Sequence, residues 1–478
     1  MEILLGKGGD VEVLLAYEDT EEIKGFDIYS YLRKEELFKG KLGQVYSQLD
    51  PSGRHKLVLG LGKKEELDHE GLREAFYKLG QALTQAKVRT ASLELPKFEG
   101  LCSKKSVSSV AEGLMHSQYV FDKYKSEKEF KPSLEKVYIN ALDREDAKSQ
   151  EALDEARDIM EGVFLTRDLV NEPAIVLTPK ELARRAKEEL EPLGVKVTVY
   201  GQKEIEEMKM EAFLSVSLGS ENEPQFIVME YLEGGDEDTL ALVGKGLTYD
   251  TGGYSLKPSK SMETMFTDMA GSASVIGSLK AIAKSKLPKN VVGIVAACEN
   301  AISGGSYKPG DIIGSMAGKT IEIGNTDAEG RLTLADALWY AATVVKADRI
   351  IDLATLTGAC VVALSDVATG AVTNNLDLMR DLVKASHRGG EHIWHLPHFK
   401  EFDKRVLSDK ADLINTAKGP MGAGTITAGL FLGHFVKDIP WVHLDIAGTA
   451  YIDSPRTYLP NGATGIPVNT LYNYIKWN

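Results

Sequence analysis

The feature that most constrains the fold is a series of short, strongly apolar segments between residues 195 and 445. Six of them predict strands: Val195–Tyr200, Gln225–Tyr231, Leu240–Gly244, Val291–Ala297, Ile350–Leu353 and Trp441–Asp445. The helices predicted between them include Met269–Ala283, Leu332–Val345 and Thr427–Phe435. Strands this apolar are typical of a sheet that is buried on both faces. The pattern predicts an α/β domain around a mixed, largely parallel sheet, with ligands at the carboxyl ends of its strands.

The first part of the chain shows a similar alternation on a smaller scale. Apolar runs at Val11–Leu15, Lys56–Gly60, Ala91–Leu95 and Val137–Leu142 alternate with helical patterns at Glu70–Ala86 and Ser106–Tyr124. This predicts a small α/β domain. Gly60-Leu61-Gly62 follows a strand but lacks the third glycine of a dinucleotide-binding loop. We therefore interpret this domain as structural or regulatory.

The segment between the two parts predicts a long helix. Residues Asp143 to Val170 are rich in helix-forming residues and have no glycine before Gly162. Leu177-Thr178-Pro179 then predicts another helix start, with proline at the first helical position. A chain of 478 residues is long enough for two or three domains. We expect an N-terminal α/β domain at residues 1–145, a linking helix at 146–170 and a larger α/β domain at 171–478.

Charge and cysteine content limit the partners and the compartment. A net charge of -14 argues against a general nucleic-acid or anionic-membrane partner, since both require basic patches. Cys102, Cys298 and Cys360 lie far apart, which favours buried apolar residues in a reducing compartment. The N-terminus does not resemble a secretory signal, and the longest apolar run, Leu353 to Leu364, is too short to span a membrane. We expect a cytoplasmic protein.

The segment Asn325–Leu332, with the sequence NTDAEGRL, places two carboxylates one residue apart and a guanidinium two residues later. In an extended segment Asp327, Glu329 and Arg331 would share one side, and Gly330 would let the backbone turn. Carboxylates this close repel each other and raise one of their pKa values. A metal ion between them would remove the repulsion. The alternative is an exposed acidic turn that caps the helix predicted near Leu332.

A second polar cluster, Gly244–Pro258, begins where a predicted strand ends. It carries Lys245, Asp250 and Lys257 on a glycine-rich loop, where a ligand can approach the backbone closely. Its spacing does not match the phosphate-binding loop G-x-x-x-x-G-K-[ST]. Asp268 follows directly before a predicted helix, where its alternative role is an N-cap. Singly, such lysines are usually surface residues; together, at strand ends and helix starts of one domain, these groups predict a ligand site.

These motifs together resemble the leucine aminopeptidase family of dinuclear metallopeptidases, also called cytosol aminopeptidases. The octapeptide Asn325–Leu332 matches the signature of that family. The resemblance covers about residues 165 to 470 and continues through Asn171–Ala174, Gly244–Lys257, Asp352–Gly358 and Asp445–Gly448. It implies a leucyl aminopeptidase, a metal-dependent hydrolase that removes N-terminal residues from peptides and prefers leucine and other apolar side chains.

The resemblance also implies a role for each charged residue. One metal would be held by Lys245, Asp250, Asp268 and Glu329, and the other by Asp250, Asp327 and Glu329. Carboxylates that bridge two divalent ions hold them about 3.5–4 Å apart, so that the ions clamp a hydroxide nucleophile. Lys245 can ligate only as a neutral amine, with its pKa lowered by the ions. Lys257 and Arg331 would be the catalytic pair and would stabilise the oxyanion of a tetrahedral intermediate.

The motifs leave no His, Asp or Glu as an obvious general base. The family uses a bicarbonate held by Arg331, whose planar guanidinium suits a planar anion, and we expect the same base here. Lys257 would polarise the scissile carbonyl group. The neutral α-amine of the substrate would bind one metal, which explains the removal of N-terminal residues.

The substrate-binding residues implied by the resemblance are Thr355, Leu356 and Gly358 along the substrate path and Met265, Ala447 and Ala450 in the first side-chain pocket. Two positions differ from relatives. Ala450 replaces the methionine of some members, which predicts a wider apolar pocket that accepts Phe or Met as well as Leu. Phe266 stands where relatives usually have a basic residue; it should not contact the metals, but it changes the local electrostatics.

The resemblance further implies a homohexamer, built as a dimer of trimers, that acts on peptides. The acid-rich ligand set suits zinc, manganese or magnesium, so we expect two divalent ions per subunit.

Three alternatives remain open at this stage. His392, His395 and His398 form an H-x-x-H-x-x-H run, but Pro397 prevents a helix that would align them, and Trp394 favours a packed loop. A two-metal phosphoesterase would also use an oxygen-rich dinuclear site. A catalytically silent assembly protein could retain the fold, although intact Lys257 and Arg331 argue against it. A serine hydrolase is disfavoured, because no G-x-S-x-G motif occurs.

Overall fold

The computed structural model describes residues 1–49, 55–128, 133–141 and 146–478. The described chain divides into two compact units: Met1–Met160 with Pro455–Pro460, and Glu161–Ser454 with Asn461–Asn478. The predicted domain limits at residues 145 and 170 stay a prediction. Leu142 and the predicted helix start at Asp143 lie outside the described residues.

The first unit contains a six-stranded sheet with the order β1-β6-β5-β2-β4-β3. Its strands are β1 (Glu2–Leu5), β2 (Val11–Ala16), β3 (Val45–Leu49), β4 (His55–Gly60), β5 (Thr90–Leu95) and β6 (Lys136–Ala141). Its helices are α1 (Tyr29–Lys34), α2 (His69–Gln85), α3 (Ser103–His116) and α4 (Asp146–Val170), the last of which continues into the second unit. Neighbouring strands are parallel except for the antiparallel pair of β3 and β4.

The predicted α/β character of this unit is confirmed, with differences at the sheet edges. The edge strands β1 and β3 were not predicted, because their residues are only half-buried or exposed and their apolar runs have at most three residues. Helix α3 ends at His116 rather than near Tyr124. Apolar side chains of α2 and α3, including Phe76 and Val110, share one core with the inner strands.

The second unit is built around an eight-stranded sheet with the order β15-β14-β17-β13-β9-β10-β8-β7. The strands of this unit are β7 (Lys196–Tyr200), β8 (Gln225–Leu232), β9 (Thr239–Asp250), β10 (Asn290–Asn300), β11 (Ile312–Ile313), β12 (Ile321–Glu322), β13 (Arg349–Ala354), β14 (Ala368–Thr373), β15 (His392–His395), β16 (Leu413–Ile414), β17 (Trp441–Asp445), β18 (Tyr451–Ile452) and β19 (Gly462–Ala463). The central strands β17, β13, β9 and β10 are parallel, and antiparallel strands flank them. The predicted mixed, largely parallel sheet is confirmed.

Helices cover this sheet and connect its strands. They are α5 (Pro179–Leu190), α6 (Gln202–Glu207), α7 (Glu211–Ser217), α8 (Ser259–Met262), α9 (Ala270–Lys284), α10 (Gly330–Tyr340), α11 (Gly358–Leu364), α12 (Leu376–Gly389), α13 (Lys400–Asp403), α14 (Gly424–Gly433) and α15 (Val468–Trp477). The start predicted for α5 is confirmed: Thr178 is its N-cap, and its side chain accepts a hydrogen bond from the backbone N–H of Glu181.

Helices α4 and α9 approach each other closely at Gly162 and Gly277. A Cβ atom at either glycine would overlap the backbone carbonyl of the other. Thr166 Oγ1 donates to the carbonyl of Ala273 across the same contact, at 3.1 Å. Because α9 begins two residues after Asp268, this contact fixes the helix that follows a predicted metal ligand.

The described structure settles several smaller predictions. Cys298 and Cys360 are buried as expected, but Cys102 is exposed because it lies at the N-cap of α3. Among the described residues, no helix is both long and apolar enough to cross a membrane.

The histidine run lies in an edge strand, so the predicted packed loop is wrong. His392 and His395 are the ends of β15, and residues three apart in a strand point to opposite faces. His398 lies beyond the strand, with Nε2 2.6 Å from Asp403 Oδ1. Trp394 is 65% exposed rather than packed. These histidines therefore do not share a ligand site in the described structure.

Candidate metal centre

Parallel strands bring polar residues to one edge of the central sheet. Strand β9 ends at Asp250, β10 ends at Asn300, and β13 ends directly before Thr355. The carboxyl ends of parallel strands lie at the same edge, where open α/β sheets bind ligands. The predicted clusters, although distant in sequence, converge there.

A β-bulge in β9 determines which way Asp250 points. The pairing of β9 with β10 slips by one residue at Thr248, which is an extra residue in β9. In a regular strand of the same length, Lys245 and Asp250, five positions apart, would face opposite sides of the sheet. The extra residue puts both on the same side. The prediction that the strand ends at Gly244 is wrong, because the apolar run stops there while strand pairing continues.

Lys245 lies between two buried acids. Its Nζ atom is 2.7 Å from Asp268 Oδ2 and 2.9 Å from Glu329 Oε1. It also donates to the carbonyl of Thr355 at 3.0 Å, and Thr355 Oγ1 donates to Asp268 Oδ1 at 2.7 Å. Asp268 does not cap α9, whose N-cap is Met269 without a side-chain hydrogen bond. The capping alternative for Asp268 is therefore wrong.

Lys257 lies between the other two acids. Its Nζ atom is 2.8 Å from Asp250 Oδ2 and 2.5 Å from Asp327 Oδ1. Lys257 is on the loop that follows β9, and its backbone N–H donates to the carbonyl of Thr251. Asp250 and Glu329 are buried, whereas the side chain of Asp327 is 35% exposed.

The charges in this cluster do not balance. Four carboxylates face two ammonium groups, which leaves an excess of two negative charges. Burial, reinforced by the neighbouring acids, raises the pKa of Glu329 to about 8 and that of Asp268 to about 6. Burial alone would lower the pKa of Lys245, but Asp268, Glu329 and Asp250 raise it above its ordinary value.

These residues fit divalent cations. Asp250, Asp327 and Glu329 offer carboxylate oxygens that all lie within 4.8 Å of one another. Glu329 Oε2 is buried and has no hydrogen-bond partner in the described structure. A buried oxygen without a donor is costly, and a cation would both pair with it and neutralise the excess negative charge.

The octapeptide is a turn followed by a helix, not an extended strand. Helix α10 begins at Gly330, and Glu329 makes no side-chain capping bond, so the acidic-cap alternative is also wrong. Gly330 is helical rather than a turn residue. Glycine is required at this position for another reason: a Cβ atom there would lie 2.7 Å from Lys245 Nζ.

The side chains of this cluster line a cavity of about 630 Å³. The predicted residues that line it are Lys245, Asp250, Lys257, Met265, Asp268, Asp327, Glu329, Thr355, Leu356, Gly358 and Ala447. The structure also brings Tyr451 to this wall, and Phe266 packs edge-on against its ring, with centroids 6.0 Å apart.

Two predicted site residues, Arg331 and Ala450, are not among the described residues that line the cavity. Arg331 is buried, and its Nη1 donates to the carbonyl of Asn415 at 2.7 Å, while Nε has no partner in the described structure. Burial lowers the pKa of Arg331 to about 10. Ala450 is buried, with its N–H bonded to the carbonyl of Ile446.

Two buried polar residues with no predicted site role also shape this region. Asp445 accepts hydrogen bonds from Thr357 Oγ1 at 2.6 Å and from the N–H of Leu356 at 3.2 Å, so it orients the loop along the cavity. Asn300 bonds to Asp250 at 2.8 Å. Asn300 could have been found from the sequence, because Cys298-Glu299-Asn300 directly follows a predicted strand, which is the signal that identified Asp250.

Comparison with known proteins identifies the family of this chain. Residues 164–472 match the model of the cytosol aminopeptidase family, catalytic domain, and residues 12–128 match that of its N-terminal domain. A probable cytosol aminopeptidase of Clostridium tetani is 53% identical over 478 residues, covering 100% of this chain and 99% of the relative. One of Treponema denticola is 50% identical over 475 residues, covering 99% and 98%.

Solved structures resemble the whole chain. A tomato leucine aminopeptidase mutant has a TM-score of 0.90 at 34% identity, covering 100% of this chain and 97% of its own. A bottromycin maturation enzyme in complex with Mn has a TM-score of 0.89 at 32% identity, covering 98% and 99%. The chain therefore belongs to the cytosol aminopeptidase family and is a metal-dependent aminopeptidase.

Proposed function

We propose that this enzyme is a leucyl aminopeptidase that uses two divalent ions to remove N-terminal residues from peptides. The observation that carries the proposal is a cavity of about 630 Å³ lined by four carboxylates, two lysines and the apolar residues Met265, Leu356 and Ala447. The charged residues suit cations, and the apolar residues suit a leucine side chain.

The proposed ligands are Lys245, Asp250, Asp268 and Glu329 for one ion and Asp250, Asp327 and Glu329 for the other. When bound, the ions supply Lewis acidity and generate a nucleophile from water. The distances within the cluster support this set, because each acid lies within 3 Å of a lysine that contacts a second acid. Lys245 would ligate as a neutral amine and would give up its proton when the ions bind.

Lys257 is proposed to polarise the scissile carbonyl group. It lines the cavity, and its side chain is 15% exposed, so it is open to a substrate. Burial opposes its charge, but Asp250 and Glu329 raise the pKa of Lys257 above its ordinary value, which keeps it a cation near neutral pH. A fixed positive charge stabilises an oxyanion that develops in the transition state.

Arg331 is proposed to hold a bicarbonate that supplies the general base. Its buried Nε has no partner in the described structure and is therefore available to a planar anion. Arg331 does not line the cavity, so this role requires the anion to lie between the guanidinium and the substrate. The test is to measure kcat with and without added bicarbonate. We expect bicarbonate to raise the kcat of the wild-type enzyme and to have no effect on that of Arg331→Ala.

Parallel assays with leucyl anilide and an aryl phosphate test the function. We expect metal-dependent cleavage of the anilide and none of the phosphate; the reverse would identify a phosphoesterase. Metal binding without cleavage of either substrate would identify a catalytically silent protein. Anilides of Phe and Met extend the test to the wide pocket predicted from Ala450, and a strict preference for small residues would contradict that pocket.

The proposal also covers the native metal, the oligomeric state and the cellular location. We propose manganese or zinc, with magnesium as the third ion that the ligands suit. We also propose a cytoplasmic homohexamer. Metal analysis of the purified protein, light scattering and cell fractionation measure the three properties.

A further inference from the structure

Asn300 is a fully buried amide next to the proposed ligands, and no role has been assigned to it. It is the last residue of β10 and is paired in register with Asp250 at the end of β9. Its Nδ2 donates to Asp250 Oδ1 at 2.8 Å and to the carbonyl of Thr326 at 3.0 Å. A carbonyl oxygen can only accept, so the amide nitrogen must face these two atoms.

The contact with Asp250 fixes one carboxylate oxygen. Asp250 Oδ1 accepts from Asn300 and also from the backbone N–H of Gly252 at 2.8 Å. Its other oxygen, Oδ2, lies 2.8 Å from Lys257 Nζ inside the cluster. Two donors on Oδ1 therefore leave Oδ2 as the oxygen that is directed at the metal centre.

The contact with Thr326 connects a second ligand segment, because Thr326 directly precedes Asp327. The Thr326 carbonyl also accepts from Tyr307 Oη at 2.8 Å, and Thr326 Oγ1 donates to the carbonyl of Gly252 at 2.7 Å. All of these groups are buried. One amide thus joins the end of β9 to the octapeptide.

We propose that Asn300 is a positioning residue for metal binding. It orients the carboxylate of Asp250 and holds the Asp250 and Asp327 segments at the separation that a shared ion requires. The inference rests on the ligand set of the proposed function. Outer hydrogen-bond partners of metal ligands typically change metal affinity about 10–100-fold.

Titration with Mn²⁺, followed by the electron paramagnetic resonance signal of the free ion, tests the role of Asn300. Asn290 is the matched control: it is a buried asparagine at the opposite end of β10, and its Nδ2 donates to the carbonyls of Gly235 and Glu237. We expect Asn300→Ala to raise the Kd for Mn²⁺ about 10–100-fold and Asn290→Ala to leave it within about twofold. Both variants should lower the melting temperature of the metal-free protein.

A Kd for Asn300→Ala that equals those of wild type and Asn290→Ala would overturn the proposal. If Asn300→Ala does not fold, Asn300→Leu replaces it, because leucine has the same number of side-chain heavy atoms and no donor. Weaker Mn²⁺ binding by Asn300→Leu than by Asn290→Leu supports the positioning role, and binding equal to wild type overturns it. A wild-type protein that binds no Mn²⁺ would overturn the proposed function as well.

Discussion

Gly330 has no side chain, and this leaves room for the side chain of Lys245. Gly330 is the first residue of α10, and the end of the Lys245 side chain fills the space where its Cβ atom would be. Lys245 is only 3% exposed and cannot move into solvent. The identity of residue 330, on α10, is therefore fixed by a proposed metal ligand on strand β9.

Replacement of Gly330 by alanine should weaken metal binding. Alanine favours a helix by up to about 1 kcal/mol over glycine, but its methyl group would displace the Lys245 amine. We expect the Kd for Mn²⁺ to rise about tenfold or more, measured by titration. Gly433→Ala is the control, because a Cβ atom there meets only the ring of Trp441 at 3.5 Å. Unchanged affinity in Gly330→Ala would contradict this account.

Replacement of Lys257 by methionine should reduce kcat while retaining the metal. Loss of one charge that stabilises an oxyanion typically costs about 10²–10³ in kcat. The comparison variant is Lys260→Met, an exposed lysine on α8, which should behave like wild type. Metal content and kcat for leucyl anilide are the two readouts. A Lys257→Met enzyme that has lost its metal would show that this lysine is structural instead.

Site residues inside the two polar motifs were easier to identify from the sequence than those outside them. The acids and lysines of the candidate centre stand out by their spacing, by their place at strand ends and helix starts, and by the octapeptide. Asn300 follows a predicted strand, but only folding brings it to Asp250, and only folding brings Asp445 to Thr357. The substrate-pocket role predicted for Ala450 depends on a family position, and in the described structure this buried residue is not among those that line the cavity.

At the level of elements, apolar runs predicted most strands of the two large sheets, including the edge strand β7, but missed β1, β3, β14 and β15. Strand β17 was predicted at its observed limits. Strand β14, with the sequence ATGAVT, has too few large apolar residues to form a run. The ends of β9 and β10 were also missed, because polar residues there remain paired at the metal centre.

The contact between α4 and α9 predicts a steep penalty for added volume. Gly277→Ala would drive a methyl group into the backbone of Gly162, so we expect a loss of about 1–3 kcal/mol in stability. Chemical denaturation measures it. Gly304→Ala is the control, since nothing lies within 4 Å of a Cβ atom at that position. Equal stability of the two variants would mean that the helices separate at little cost.

For the whole molecule, metal ions should stabilise the fold by mass action. A ligand that binds only the folded state at 100 times its Kd adds about 2.7 kcal/mol. We expect chelation to lower the melting temperature and Mn²⁺ to restore it in a concentration-dependent way, as followed by calorimetry. In Asp327→Asn, which lacks the charge of one proposed ligand, the melting temperature should depend less on the Mn²⁺ concentration. If the melting temperature of the wild-type protein does not change with Mn²⁺, the proposed metal centre is wrong.

The family and the two α/β parts followed from the sequence, because the octapeptide is specific and strand periodicity is a local property. Assembly did not, since no residue pattern reports a partner surface directly. The predicted homohexamer and the contribution of the first unit therefore depend on measurement of the intact protein.

The extra residue Thr248 in β9 has a consequence for how this chain tolerates change. A change that straightened the strand while keeping all its residues would turn Asp250 to the far side of the sheet. Deleting one residue together with the bulge would leave Lys245 and Asp250 four positions apart and again on the same side. A lost codon at the bulge should therefore harm the enzyme less than a substitution that removes the bulge and keeps the chain length.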